Sequence, residues 1–272
     1  MTAAAGLDSG AVSPSSEFDD PLELELPGST STIQNYNDDV CVDGRTVTLE
    51  VAFIRSCNTT FAQLGMDVGG LILESAAERV GFNQQVPYET AVLTSRFPDG
   101  ETLELDPPAT AQNAIGQRDV QVTPLLMALT AAGVAEEGVI MAPYVVADIF
   151  TSDGTVEEST LPSEWRRAMT PATAAVLEDM MEQVVISGTG QRAAVPGVRV
   201  AGKTGTAQVT GGPPHAWFIG YGPVDAGLDE AQIALAVVVE SGGSFGESAS
   251  GGVVAAPIAQ LVFSEFFGTG TQ

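Results

Sequence analysis

The sequence predicts an α+β fold: an antiparallel sheet, a helix at each end of the chain, and a mainly helical region over roughly residues 40–190. Three observations carry this reading. Apolar residues recur at helical spacing through the middle of the chain. Three strand-like runs follow one another late, at 198–208, 216–221 and 233–240, and the Gly- and Pro-rich turns between them suggest an antiparallel meander. Alanine-rich or apolar helical segments stand at both ends. With 272 residues, 44% of them hydrophobic, the chain can bury a real core, and residues 1–272 are read as a single domain.

Taken in order, Thr2 to Gly10 reads as a helix stopped by Ser9-Gly10, with no capping residue ahead of Thr2, as if cut in mid-course. Residues 11–39 are polar and carry Pro14, Pro21 and Pro27, which gives loop, a short strand at Leu22–Leu26, and loop. Thr46 to Ile54 has an apolar helical face, Arg55-Ser56-Cys57-Asn58 breaks it, and Thr59–Val68 resumes as a second helix. Leu71–Val80 is a third, ended by Gly81. A short polar Ser-x-Asn between two apolar helices is a turn that projects side chains from a rigid support. Gln84–Asp106 reads as irregular, and Ala111–Arg118 leads to Thr123-Pro124, the cap and first position of a helix reaching about Glu137. Tyr144–Phe150 is a strand, and Asp153-Gly154 turns a hairpin. Thr170-Pro171 opens a helix to about Val185, closed by Ser187-Gly188-Thr189-Gly190, and Val253–Phe267 is the last helix.

Bulk charge narrows the function classes. A net charge of −25 repels nucleic acid and anionic membrane surfaces, so neither is an expected partner. No stretch is apolar for long enough to cross a membrane, and residues 1–5 lack the basic start of a signal peptide, so the chain itself is expected to be soluble. One histidine and two cysteines make no zinc site, no Asp-x-Asp-x-Asp-Gly loop offers a calcium site, and no cofactor is expected. Cys41 and Cys57 are either two buried thiols or a disulfide closing a short loop in an oxidising compartment.

Against that acidic background stands Val198-Arg-Val-Ala-Gly-Lys-Thr-Gly-Thr-Ala-Gln208, which holds Lys203, the only lysine in the chain. A strand that presents an ammonium, two hydroxyls and open backbone N–H groups suits an anionic, peptide-like ligand added as a further strand. His215 follows Pro213-Pro214 at the entry to the next strand and is read as structural rather than as a triad histidine.

Ser56-Cys57-Asn58 and then Lys203-Thr204-Gly205-Thr206, in that order and far apart, resemble two of the three active-site motifs of penicillin-binding proteins and serine β-lactamases, Ser-x-Asn and Lys-Thr-Gly. Ile115-Gly116-Gln117, Thr123-Pro124-Leu125-Leu126-Met127-Ala128, Ser187-Gly188-Thr189-Gly190 and His215-Ala216-Trp217-Phe218 agree as well. Together they resemble the transpeptidase domain of class B penicillin-binding proteins, closest to the actinobacterial penicillin-binding protein A type, over nearly the whole chain.

The resemblance implies the penicillin-binding protein/serine β-lactamase-like fold and a peptidoglycan D,D-transpeptidase that cross-links stem peptides through an acyl-enzyme. Ser56 would pass protons to the leaving amine, Asn58 would bind the substrate's backbone amide, and Lys203 would bias Ser56 and supply positive potential. Thr204 and Thr206 would bind the terminal carboxylate of a stem peptide or a β-lactam. Gly205 would let the substrate strand lie close, and the Thr206 N–H would form half of an oxyanion hole. The competing reading for Ser56 and Asn58 is that they merely cap the helix beginning near Thr59.

One motif is missing. With a single lysine at 203, no Ser-x-x-Lys can occur; Ser29-Thr30-Ser31-Thr32 ends in threonine where lysine should stand. In the family the nucleophile opens the helix whose tail resembles Thr2–Gly10, so the chain is read as truncated just after it and is expected to be inactive by itself. The resemblance further implies a membrane anchor in a longer protein, action on the extracytoplasmic face, and divisome or elongation partners. The alternatives are a non-catalytic homologue that binds peptides or a protein partner, and a β-lactamase or D,D-carboxypeptidase of the same fold.

Overall fold

Small side chains let a helix run through the centre of the protein. In α1 (Thr2–Asp8), residues Thr2 to Gly6 are all buried, and Thr2 Oγ1 donates to the Ala114 carbonyl at 2.6 Å. Asp8 at its far end accepts from the Thr170 N–H and hydroxyl and pairs with Arg79 at 3.4 Å, so α1 is tied at both ends. The computed structural model describes residues 1–36, 39–224 and 232–269.

Three short strands follow: β1 (Glu17–Asp19), β2 (Glu23–Glu25) and β3 (Thr32–Gln34), the last two paired antiparallel. The helix expected over Thr46–Ile54 starts later than its apolar face implied. Thr46–Thr48 is extended and pairs with β1 as β4, and α2 (Leu49–Arg55) begins only at Leu49. The β-branched run Thr-Val-Thr favours extension, and Thr48 keeps that backbone because its Oγ1 accepts from the Val51 N–H as the cap. α3 (Asn58–Val68) and α4 (Gly70–Val80) fall where the periodicity puts them, and Gly81 ends α4 at φ 123°.

The irregular stretch 84–106 hides one short helix, α5 (Gly100–Glu104), capped by Asp99. Five residues are too few for a helical period to show. Asp106 caps α6 (Pro107–Ala114), which opens on Asp-Pro-Pro, a start signal that the sequence reading passed over. α7 (Pro124–Ala135) and α8 (Pro171–Ile186) begin at the Thr-Pro pairs read from the sequence, each capped by its threonine hydroxyl. Between them, only Asp148–Phe150 of the strand expected at 144–150 is extended. It forms β6, after an unforeseen β5 (Val139–Met141). β6 pairs with β7 (Val156–Ser159) around Asp153-Gly154, and β5 pairs with β8 (Glu164–Arg167).

The late meander is present. β9 (Ala201–Val209), β10 (Gly212–Gly222) and β11 (Ile233–Val239) form an antiparallel sheet in the order β11-β10-β9. Most of the turn between the last two lies outside the described residues, as do Asn37 and Asp38 of the early loop. One wide turn, Gly251–Ala255, precedes α9 (Ala256–Phe266), which is shorter than the helix expected from Val253. The main core gathers Leu49, Phe53, Leu64, Leu73, Leu126 and Tyr221 from the helices and the sheet, and a second gathers Phe218 with Phe263 of α9. α8 packs on β9 and α7 on β11, so the sheet is held between the helical region and α9.

Candidate active site

Ser56 is not a helix cap at the start of α3. It closes α2 with φ 63°, a left-handed backbone that costs a non-glycine residue free energy and turns the chain sharply into α3. That turn frees its hydroxyl, which accepts from Lys203 Nζ at 2.6 Å across 147 positions of sequence. The same ammonium donates to the Thr204 carbonyl at 3.0 Å and lies 5.7 Å from the centroid of the Phe53 ring. Two far-separated motifs therefore meet in one hydrogen bond.

Burial brings Lys203 down from 10.5 to about 8, because removing water disfavours the charged amine. At neutral pH it is still mostly protonated, yet it gives up a proton far more readily than a surface lysine. The start of α1 lies close by. Burial, and then the charge of Lys203, lower the Met1 amine to about 6. The beginning of α1 and the Ser56–Lys203 pair thus share one corner of the protein.

β9 is the edge strand of its sheet among the described residues, and its backbone shows which side is open. The Thr204 carbonyl accepts from Lys203, and the Thr206 carbonyl accepts from Gln117 Nε2 at 3.3 Å. In a strand a residue's N–H and C=O point the same way, so Thr204 and Thr206 turn their backbone groups away from β10 towards the free edge. Thr204, a residue only 8% exposed, pairs its hydroxyl with that of Thr189 at 2.6 Å, and Thr206 Oγ1 accepts from the Gly251 N–H at 3.5 Å.

A Cβ on Gly205 would stand 3.2 Å from Trp217 Cβ, so packing inside the sheet also favours glycine there. Asn58 opens α3, and its Nδ2 donates to the Gln34 carbonyl at 2.9 Å. Cys57 lies between Ser56 and Asn58, 1% exposed, and is joined to Cys41 with Cα atoms 5.7 Å apart. The two-thiol alternative therefore falls away. His215 Nδ1 accepts from the Ser241 N–H at 2.9 Å.

Gln117 and Thr189 are not among the site residues that the sequence announces, although Gly-Gln and Ser-Gly-Thr-Gly carry part of the family resemblance. Only the folded chain shows both at β9. A hollow of about 510 Å³ lined by Val12, Glu17, Phe18, Asp19, Gln63 and Asp67 lies elsewhere and shares no residue with this group. No cluster of histidine, cysteine or carboxylates suited to a metal ion occurs among the described residues.

A domain family described as the penicillin binding protein transpeptidase domain matches residues 1–264. The chain belongs to that family. It is 38% identical over 274 residues to the peptidoglycan D,D-transpeptidase PbpA of Mycolicibacterium smegmatis, a match covering 97% of this chain and 52% of the relative. The corresponding PbpA of Mycobacterium tuberculosis is likewise 38% identical, over 96% of this chain and 52% of its own length. The chain thus spans about half the length of the curated relatives it matches. Among solved structures, penicillin-binding protein A from M. tuberculosis in its ceftriaxone acyl-enzyme complex superposes with a TM-score of 0.88 at 36% identity, covering 97% of this chain and 58% of that one. The D,D-transpeptidase domain of a peptidoglycan glycosyltransferase from Eggerthella lenta gives 0.86 at 30% identity, covering 99% and 64%. The fold is that of the penicillin-binding transpeptidases, which have the β-lactamase-like architecture.

Proposed function

We propose that this chain is the substrate-binding and proton-handling part of a peptidoglycan D,D-transpeptidase, acting on stem peptides and acylated by β-lactams. The Lys203–Ser56 hydrogen bond beside the open edge of β9 carries the reading. A stem peptide laid along that edge as an added strand would meet the outward backbone groups of Thr204 and Thr206. Its terminal carboxylate would be held by Thr204 and Thr206 with the field of Lys203. The Thr206 N–H would face the carbonyl oxygen under attack, and Asn58, whose Nδ2 is engaged by Gln34, would offer its oxygen to a substrate amide.

In the reaction, a serine from a Ser-x-x-Lys motif would attack the peptide carbonyl. Ser56, with Lys203 ready to exchange a proton near pH 8, would deliver the proton that the leaving amine needs. The sequence holds no Ser-x-x-Lys, and the start of α1 lies close to Lys203. Penicillin-binding protein A of M. tuberculosis has been solved as acyl-enzyme complexes with imipenem and with penicillin G, which supports β-lactams as ligands of this edge too. In a longer protein the same domain would work on the extracytoplasmic face of a membrane, beside division or elongation partners.

Intact-mass measurement after incubation with penicillin G tests the reading. The chain itself, without Ser-x-x-Lys, should gain no mass. A form extended at its N-terminus to include Ser-x-x-Lys should gain one β-lactam per chain and should turn over a chromogenic cephalosporin only slowly. Rapid hydrolysis would favour a β-lactamase, and no adduct in the extended form would favour a non-catalytic peptide binder.

A further inference from the structure

Three successive residues beyond Ser56 are tied to the same preceding stretch of chain. Cys57 is bonded to Cys41, Asn58 Nδ2 donates to the Gln34 carbonyl, and the Thr59 N–H donates to Asn35 Oδ1 at 3.1 Å. These ties have work to do. Ser56 holds a left-handed backbone, a state that persists in a non-glycine residue only where its surroundings impose it.

The part of the stretch that carries Cys41 is itself held by one side chain. Asp20 is 1% exposed, and its Oδ1 accepts from the Cys41 N–H at 2.6 Å. Its Oδ2 accepts from the N–H groups of Val42 at 2.7 Å and of Asp43 and Gly44 at 3.0 Å each. The Asp20 N–H donates in turn to the Arg45 carbonyl at 3.1 Å. Four backbone donors converging on one carboxylate make an anion nest that the chain fills itself. Burial opposes the charge, but the donors from Val42, Gly44, Cys41 and Asp43 outweigh it and hold the carboxyl below its ordinary range.

The geometry points to Asp20 as a positioning residue for the reaction: it fixes residues 41–44, these fix Cys57 through the disulfide, and the fixed turn holds the Ser56 hydroxyl against Lys203. Asp20 touches neither substrate nor reacting atoms. The role rests on Ser56 and Lys203 being the working pair proposed above. Its test reads Lys203 directly in the chain without Ser-x-x-Lys, so it can fail while acylation of the extended form stands, and the reverse.

Because Lys203 is the only lysine, labelling with [13C]lysine gives a single side-chain signal whose titration can be followed by NMR. In the unaltered chain its midpoint should lie near 8. Asp20→Asn sets an NH2 group against backbone donors. The loosened turn should admit water to Lys203 and move the midpoint up by about half a pH unit or more, towards the ordinary lysine value. The double variant Cys41→Ser/Cys57→Ser should move it the same way, and Asp20→Asn added to that pair should shift it little further, since both act along one route. An Asp20→Asn chain that is folded by circular dichroism, melts earlier and leaves the Lys203 midpoint unmoved overturns the proposal, because Asp20 would then only brace a loop. Full additivity with the cysteine pair overturns it too. Should Asp20→Asn not fold, reduction of the disulfide in the unaltered chain decides: a raised midpoint supports the route, and an unmoved one overturns it.

Discussion

Two antiparallel hairpins in this protein have the same local geometry and opposite surroundings. β9–β10 lies between the helical region and α9, with Ala216 and Phe218 at 0% exposure, and one of its strands carries Lys203 and the threonines. β6–β7 stands on the outside, and every residue of both strands is exposed, Phe150 to 58%. Strand pairing alone therefore locates nothing. What marks β9 is that, among the described residues, no strand pairs along one of its edges while the rest of the hairpin is clamped, so that edge and Lys203 are held in place.

The largest test of this contrast is at Lys203. In a form extended to carry Ser-x-x-Lys, Lys203→Met should slow acylation by penicillin G about 10²–10⁴-fold, the usual reach of a positioned proton-transfer group, as measured by time-resolved mass. A loss of only a few-fold would detach the chemistry from this hairpin. Next, Phe218→Ala should destabilise the protein by about 3–5 kcal/mol in urea denaturation, because the cavity it leaves in the second core cannot collapse easily.

Gly251→Ala should cost about 1–3 kcal/mol. Its Cβ would meet the Trp217 carbonyl at 2.1 Å and Gly205 N at 2.8 Å, and the shift would be felt in β9 itself. Stability should also depend on pH with a defined sign. Since the folded state holds Lys203 at about 8 and the unfolded chain near 10.5, the unfolded state binds more protons between those values. Stability should accordingly rise with pH across that window, and Lys203→Met should remove the rise. Smallest of all, Phe150→Ala on the outer hairpin should change stability by no more than about 0.5 kcal/mol.

Some of the architecture was legible from residues alone, for local reasons. Thr-Pro pairs at 123 and 170 state both the cap and the first helical position, and the structure uses each threonine hydroxyl as that cap. The meander could be read because three apolar runs sit between turn-forming glycines and prolines. Where reading failed, the signal was short or contested. β4 borrowed the apolar face of the following helix, and α5 is shorter than two turns. Likewise, β5 and β8 are strands chiefly because each is the other's partner.

For the site, the residue types and their order were in the sequence: one lysine in an acidic chain, followed by Thr-Gly-Thr, and a polar Ser-x-Asn between apolar helices. Chemistry of that kind is written locally, because a motif is a run of neighbours. What only the tertiary structure decided is which groups touch. Ser56 meets Lys203 because a left-handed turn ends α2 beneath β9, Gln117 reaches the Thr206 carbonyl, Thr189 pairs with Thr204, and Asp20 gathers the loop that holds Cys41. None of these contacts has a sequence period or spacing to announce it. Each is set by how separate elements pack, and packing depends on the whole chain at once.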